Sequence, residues 1–236
     1  MRFEFLIAQA ETVRFDPSGF EHLAPPLQVA LFLGAMSFLA AALISLTAFT
    51  RIIIVLSFVR RALTTNEIPP NQVILGLSLF LTIFVMAPTF TAIYENGVQP
   101  YLVAQQKEVP DKDILSVMEV ASREFHAFMI VHTRKADLAL FVELSKTPTS
   151  ITLEEVPMKV LIPAFIISEL KTAFIMGFCI YIPFLLIDLV ISTVLMSLGM
   201  MMMPPVVVST PCKLMLFVLV DGWHMISSAL VVSFGG

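Results

Sequence analysis

Residues 195–211 read Leu-Met-Ser-Leu-Gly-Met-Met-Met-Met-Pro-Pro-Val-Val-Val-Ser-Thr-Pro, an apolar segment with a break at its middle. Proline has no backbone donor, and it pushes the residue before it away from helical angles. A regular helix therefore cannot cross Pro204 and Pro205 undisturbed. Within a membrane, broken backbone persists only where protein buries it or water lines it. The segment predicts two helices joined at residues 200–205.

The four methionines at this break allow two interpretations. Methionine is flexible and unbranched, so a single methionine most often fills an irregular gap in a core. The same flexibility suits a site that repacks around something of changing shape. Four in a row, Met200, Met201, Met202 and Met203, between Gly199 and a proline pair fit either role.

The composition indicates an all-α integral membrane-type protein. The chain of 236 residues is 58% hydrophobic and 14% charged, with a mean hydropathy of +0.91. Soluble domains carry about 25% charged residues. The net charge of −4 gives no indication of nucleic-acid binding.

The first half predicts a kinked helical hairpin over residues 27–94. Residues 27–50 carry no charge, and as a helix they would span about 36 Å, enough for a hydrocarbon core of about 30 Å. We expect this helix to continue past Arg51, which would snorkel to the interface. A second uncharged run, 72–94, is expected to kink at Pro88.

Residues 1–26 form a leader or loop before this hairpin. Ala8-Gln-Ala10 resembles a signal-peptidase site, but the apolar run before it is short and contains Glu4. Either this stretch is no signal, or the true start lies upstream.

Residues 95–159 predict a small polar helical domain. Sixteen of the 32 formal charges lie between residues 107 and 159. Apolar residues at helical spacing indicate one amphipathic helix, and Leu138 and Phe141 indicate a second. Thr152 and Glu155 have the form of a capping box. The amphipathic face consists of Ile114, Val117, Met118, Ala121, Phe125 and Phe128.

Residues 160–236 predict a second kinked helical hairpin, containing the methionine-rich break. Its apolar runs are 160–187, 189–212 and 214–220. The basic loop at Arg60 and Arg61 is expected to face the cytoplasm. That arrangement places residues 95–159 and both termini on the periplasmic side.

Charged residues interrupt the second hairpin. Glu169 and Lys171 are two positions apart, so they do not face each other on a helix and each needs a partner elsewhere. One hypothesis is a proton or ion path through Glu169, Lys171 and Asp188, of the kind found in secondary transporters. The other is a set of buried charges that fixes how helices or subunits dock: Glu169, Lys171, Asp188, Lys213 and Asp221.

No catalytic motif is visible, so the sequence does not predict an enzyme. It has no glycine-rich phosphate loop ending in Lys and Ser or Thr, and no nucleophile motif. The spacing of His126 and His132 does not suit a metal site. No cofactor is predicted.

Five segments closely resemble the FliP family, which supplies the core subunit of the flagellar type III export gate and has relatives in virulence injectisomes. The resemblance runs from about residue 27 to the C-terminus. The segments are Thr-Arg-Ile-Ile-Ile-Val-Leu-Ser-Phe-Val-Arg at 50–60, Pro-Pro-Asn-Gln at 69–72, Ile-Ser-Glu-Leu-Lys-Thr-Ala-Phe at 167–174, Gly-Met-Met-Met-Met-Pro-Pro at 199–205 and Lys-Leu-Met-Leu-Phe-Val-Leu-Val-Asp-Gly-Trp at 213–223.

The resemblance implies a subunit that forms a pentamer and joins FliQ-like and FliR-like subunits around an export channel in the inner membrane. Other export-apparatus proteins and unfolded flagellar proteins are further implied partners. Prolines and charges would then face protein, and the hairpins would stand largely above the bilayer plane. The methionine loop would form a gasket that narrows the closed channel, made by Met200, Met201 and Met202. Met203 would also belong to it, at a position where the family often has a different apolar residue. An ion-coupled transporter subunit and an injectisome subunit remain the alternatives.

Overall fold

The computed structural model describes residues 24–63, 69–106, 114–145, 152–200 and 203–235. These residues are helical, as the sequence predicts. The helices are α1 (Pro25–Leu46), α2 (Phe49–Ala62), α3 (Asn71–Ile93), α4 (Gln99–Gln106), α5 (Ile114–His132), α6 (Lys135–Leu144), α7 (Met158–Ser197), α8 (Pro205–Leu219) and α9 (Gly222–Val232), with a π-helical turn at Tyr94–Val98 and a 3₁₀ turn at Leu153–Glu155.

Several helices are suited to a membrane. In the described part of the chain, α1, the continuous helical stretch Asn71–Ala104 and α7 are long and apolar enough to span a bilayer. A fourth span is formed if α8 and α9, which are bent by 63° relative to each other, are taken together. The prediction of an all-α membrane-type protein is confirmed.

The chain divides into two compact units, Met1–Ala42 and Leu43–Gly236. The division falls inside α1, and the hairpin over residues 27–94 stays a prediction. The described part of the first unit is helical from Pro25 onwards, and its large apolar side chains are exposed.

The core of the second unit forms around α2 and α7, which pack along each other. Ile52, Val55, Leu56 and Val59 repeat at the spacing of one helix face, and all are buried. Gly177 of α7 allows the close approach, because a Cβ there would lie 2.5 Å from the Phe58 ring.

A second apolar cluster joins the polar middle region to the start of α7. It includes Met129 of α5, Leu138 of α6 and Phe165 of α7. Phe125 and Phe128 pack against both clusters. The predicted face of α5 is therefore correct at its C-terminal half, whereas Ile114 and Met118 are exposed. The predicted capping box of Thr152 and Glu155 is confirmed.

The prediction of one continuous helix through Arg51 is wrong, because the helix is interrupted between α1 and α2. The Thr47 hydroxyl donates to the Leu43 carbonyl at 2.6 Å and accepts from the Phe49 amide at 3.3 Å. A hydroxyl that bonds to nearby backbone competes with the regular helical pattern. Thr50 Oγ1 also donates to the Ile44 carbonyl at 2.9 Å.

Three further boundaries differ from the sequence prediction. The helix that begins at Asn71 passes Pro88 and the predicted boundary at residue 94, and its π-helical turn leads directly into α4. The apolar runs on either side of Asp188 form one helix, α7, of 40 residues. A second break, at Val220 and Asp221, separates α8 from α9.

Candidate functional site

A glycine-terminated turn ends α7 at the start of the methionine loop. The Gly199 amide donates to the Met196 carbonyl at 3.0 Å, and the Met200 amide donates to the Leu195 carbonyl at 3.0 Å. With Gly199 at φ +75°, this is the Schellman pattern of a helix C-terminus, which favours glycine because the backbone is left-handed. The helix therefore stops at a defined residue, immediately before the methionines.

Two prolines begin the next helix. Pro204 has the extended backbone angles of an N-cap residue, and Pro205 occupies the first helical position. Proline suits that position because the first amides of a helix have no intrahelical partner. The local sequence thus sets both ends of the loop.

The two described methionines of this loop, Met200 and Met203, reach solvent in the single chain. Met200 is 42% exposed and Met203 is 40% exposed. Met201 and Met202 lie outside the described residues. Neighbouring Leu198 and Val207 are exposed as well, so the tip between α7 and α8 is an apolar surface.

A buried ion pair joins α2 to α7. Arg51 Nε donates to Glu169 Oε2 at 2.8 Å, and Arg51 Nη2 donates to Glu169 Oε1. The two side chains are 4% and 0% exposed. The expectation that Arg51 snorkels is wrong, because its guanidinium forms a two-bond pair with a carboxylate, the geometry in which a buried arginine is best satisfied.

The C-terminal turn covers this pair. Arg51 Nη1 donates to the carbonyl of Ser233 at 2.9 Å and to its hydroxyl at 3.0 Å. The Phe234 ring lies 3.8 Å from Arg51 Cζ, a cation–π contact. The His132 ring lies next to Phe234, with 5.3 Å between the ring centroids. Helices α2, α5 and α7 and the C-terminal turn thus meet around one arginine–glutamate pair.

A second ion pair joins α7 to α8 on either side of the methionine loop. Lys213 Nζ lies 2.5 Å from Asp188 Oδ2, and the two side chains are 2% and 37% exposed, so the predicted burial holds for the lysine and only partly for the aspartate. Asp188 Oδ1 is buried and has no hydrogen-bond partner within the described part of the chain. This pair fixes the two helices that carry the loop relative to each other.

Two of the five charges predicted to be buried are exposed in the single chain. Lys171 points outward from α7, and Asp221 caps α9 at the surface with a left-handed φ of 51°. Neither side chain is buried between helices of the single chain. Their burial between subunits stays a prediction. Within the described residues, no group of three or more His, Cys, Asp and Glu side chains could hold a metal ion.

Sequence reasoning missed Arg51, His132, Ser233 and Phe234 as parts of one cluster. Arg51 had a signal, a charge inside an apolar run, but its partner is 118 positions away. The break at Asp221 also had a signal, since Asp-Gly is a common turn dipeptide.

Comparison with known proteins identifies the family. The FliP family model matches residues 32–230. "Flagellar biosynthetic protein FliP" of Pectobacterium carotovorum subsp. carotovorum is 50% identical over 222 residues, covering 92% of this chain and 82% of the relative. The protein of the same name from Bacillus subtilis (strain 168) is 47% identical over 220 residues, covering 93% and 97%. That from Aquifex aeolicus (strain VF5) is 43% identical over 215 residues, covering 90% and 87%. The resemblance in the sequence motifs is confirmed by these matches, and the chain belongs to the FliP family.

Proposed function

We propose that this protein is a non-enzymatic subunit of the flagellar protein export apparatus in the bacterial inner membrane. Family membership and relatives named as flagellar biosynthetic proteins support this assignment. The more specific proposal is that it lines a channel for unfolded flagellar proteins. Its methionine loop would form the constriction of that channel.

One observation carries the channel proposal: the apolar, methionine-bearing loop at the tip of two membrane-type helices. Met200 and Met203 are exposed there, although apolar side chains exposed together usually have a partner surface. An apolar constriction holds back ions by dewetting. Methionine side chains, with three rotatable bonds, can close around themselves and yield around a passing segment of any shape.

The surface of the chain supports assembly with other subunits. Phe80 and Phe84 of α3 and Val218 and Leu219 of α8 are strongly exposed apolar residues, typical of a surface that lipid or protein covers. Membership of the family favours a pentamer with FliQ-like and FliR-like subunits. In this arrangement Lys171 and Asp221, exposed in one chain, would reach neighbouring subunits.

The ion-coupled transporter receives less support from the side chains that it requires. Glu169 is held by Arg51, and one oxygen of Asp188 is held by Lys213. Lys171, the third member of the hypothetical path, is exposed. The acids are thus engaged in separate pairs, an arrangement that suits the docking of helices better than the passage of ions.

The channel proposal is tested by conductance of the assembled complex in a planar bilayer. Met200, Met201 and Met202 are replaced together by alanine. The matched control replaces Met196, Met215 and Met225, which are also exposed but lie on helices outside the loop. We expect the loop variant to assemble and to leak ions, because each copy in the ring loses its plug, and the control to stay closed. A loop variant that assembles and shows the same low ion conductance as the unmodified protein would refute the proposal that these methionines close the channel.

A further inference from the structure

His132, the last residue of α5, contacts two carbonyl oxygens with its two ring nitrogens. Nδ1 lies 2.7 Å from the carbonyl oxygen of Phe128 in its own helix. Nε2 lies 3.3 Å from the carbonyl oxygen of Phe234 in the C-terminal turn. The ring is held between the Phe128 and Phe234 rings, at centroid distances of 4.4 Å and 5.3 Å. The imidazole therefore bridges α5 to the turn that covers the Arg51–Glu169 pair.

Only the imidazolium can donate a hydrogen bond from both ring nitrogens. A carbonyl oxygen only accepts hydrogen bonds, and a neutral imidazole has a single N–H to donate. Whichever nitrogen lacks the proton then presents a lone pair to a carbonyl lone pair. The imidazolium, with an N–H on each nitrogen, donates to both Phe128 and Phe234.

Charged groups on the surrounding elements act on His132 in both directions. Glu169 of α7 interacts electrostatically with His132 and Arg134, and it favours a positive charge on the ring. Arg51 of α2, which pairs with Glu169, and Arg134, in the turn after α5, oppose that charge. Ser233 and Phe234 of the C-terminal turn do not titrate.

We propose that His132 is a proton-operated latch that holds the C-terminal turn over the Arg51–Glu169 pair. The latch is closed by the imidazolium. When the ring loses a proton, it keeps the shorter bond to Phe128 within α5, and the bond to Phe234 is replaced by repulsion. Release of Phe234 also removes its ring from the Arg51 guanidinium, 3.8 Å away, and opens the buried pair to water.

The direction of the pH dependence follows from the number of bound protons. At a pH where the docked ring is protonated and the undocked ring is neutral, the docked turn binds one proton more, so docking weakens as the pH rises through that range. Histidine changes charge between about pH 5 and pH 8, so the response falls in that interval. The ratio of docked to undocked turns should fall by up to about tenfold per pH unit.

The test measures distances between spin labels in the full chain, assembled in detergent. Labels are placed at Met118, an exposed residue of α5, and at position 236, after Cys179 and Cys212 are replaced by serine. We expect a narrow distance distribution near pH 5.5 and a broad one near pH 8, the interval in which histidine titrates.

Histidine variants identify the residue responsible. In His132→Gln the narrow distribution and its pH response should both be lost. His126→Gln, whose ring contacts the single carbonyl of Val156 at 2.8 Å, should keep them. A chain in which His22, His126 and His224 are all replaced by glutamine retains His132 alone and should respond as the unmodified chain does.

Three results would overturn the latch. They are a distribution that does not change with pH in the unmodified chain, a response that persists in His132→Gln, and a response that is lost when only His132 remains. If His132→Gln does not assemble, as judged by size exclusion, the chain with His132 as its only histidine still decides the question.

Discussion

Replacing Glu169 by glutamine removes one charge from the buried pair and keeps the size of the side chain. Arg51 is then left at 4% exposure without its counter-ion. Breaking a buried ion pair by changing one partner typically costs about 3–5 kcal/mol. Arg51 retains its two bonds to Ser233 and its contact with the Phe234 ring. We therefore expect the lower end, a loss of about 3 kcal/mol in the free energy of unfolding.

The double variant Arg51→Met, Glu169→Leu should recover most of this loss. It removes both charges together, and replacement of a buried pair by apolar residues of similar size is often neutral or stabilising. We expect a stability within about 1 kcal/mol of the unmodified chain. The difference between the double variant and the sum of the single variants then measures the coupling of the two side chains.

An exposed pair in the same chain is the matched control. Arg123 and Glu124 lie 3.6 Å apart, and the Arg123 side chain is 72% exposed. Surface ion pairs contribute less than about 1 kcal/mol, so Arg123→Gln should change stability little. Unfolding by a denaturing detergent in mixed micelles is followed by the fluorescence of Trp223, the single tryptophan, whose ring packs edge-on against Phe217.

Two results would refute this reasoning. The first is a Glu169→Gln variant that loses no more stability than Arg123→Gln. The second is a double variant as unstable as the two single variants added together. Either would mean that the Arg51–Glu169 pair is not a coupled element of the folded chain.

Two further predictions concern packing and orientation. Gly177→Ala should destabilise the chain by about 1–3 kcal/mol, because its Cβ would overlap the Phe58 ring. Gly76→Ala, with open space around it, should stabilise by up to about 1 kcal/mol through helix propensity, and equal effects in detergent unfolding would contradict the packing argument. Met118→Cys, in a chain without Cys179 and Cys212, should react in intact cells with a maleimide that does not cross the inner membrane. Reaction only after lysis would place residues 95–159 in the cytoplasm.

The local features of the fold could be predicted because their signals lie within a few residues of each other. Apolar runs without charges predict the long helices, and apolar residues at helical spacing place the buried face at the end of α5. Gly199, Pro204 and Pro205 mark where α7 ends and α8 begins. Each signal acts through backbone angles or helical periodicity, and these are properties of a short segment.

Continuity of helices was harder to predict from the same signals. Asp188 interrupts the apolar pattern of α7, but the helix continues through it, and Lys213 of α8 pairs with its carboxylate. Thr47 looks unremarkable in an apolar run, although its hydroxyl takes part in the break between α1 and α2. In both places the outcome depends on a hydrogen-bond partner that a hydropathy pattern does not specify.

The sequence by itself determined the membrane character, the helical class, the family motifs and the position of the methionine loop. Only the tertiary structure decided which charged side chains are buried and which residue pairs with each of them. Glu169 pairs with Arg51, 118 positions away, and Arg51 bonds to Ser233, 182 positions away. Lys171, two residues from Glu169, is exposed. The physical reason is that a charge can be buried only where packing brings a complementary group to it, and such groups come from helices distant in the chain.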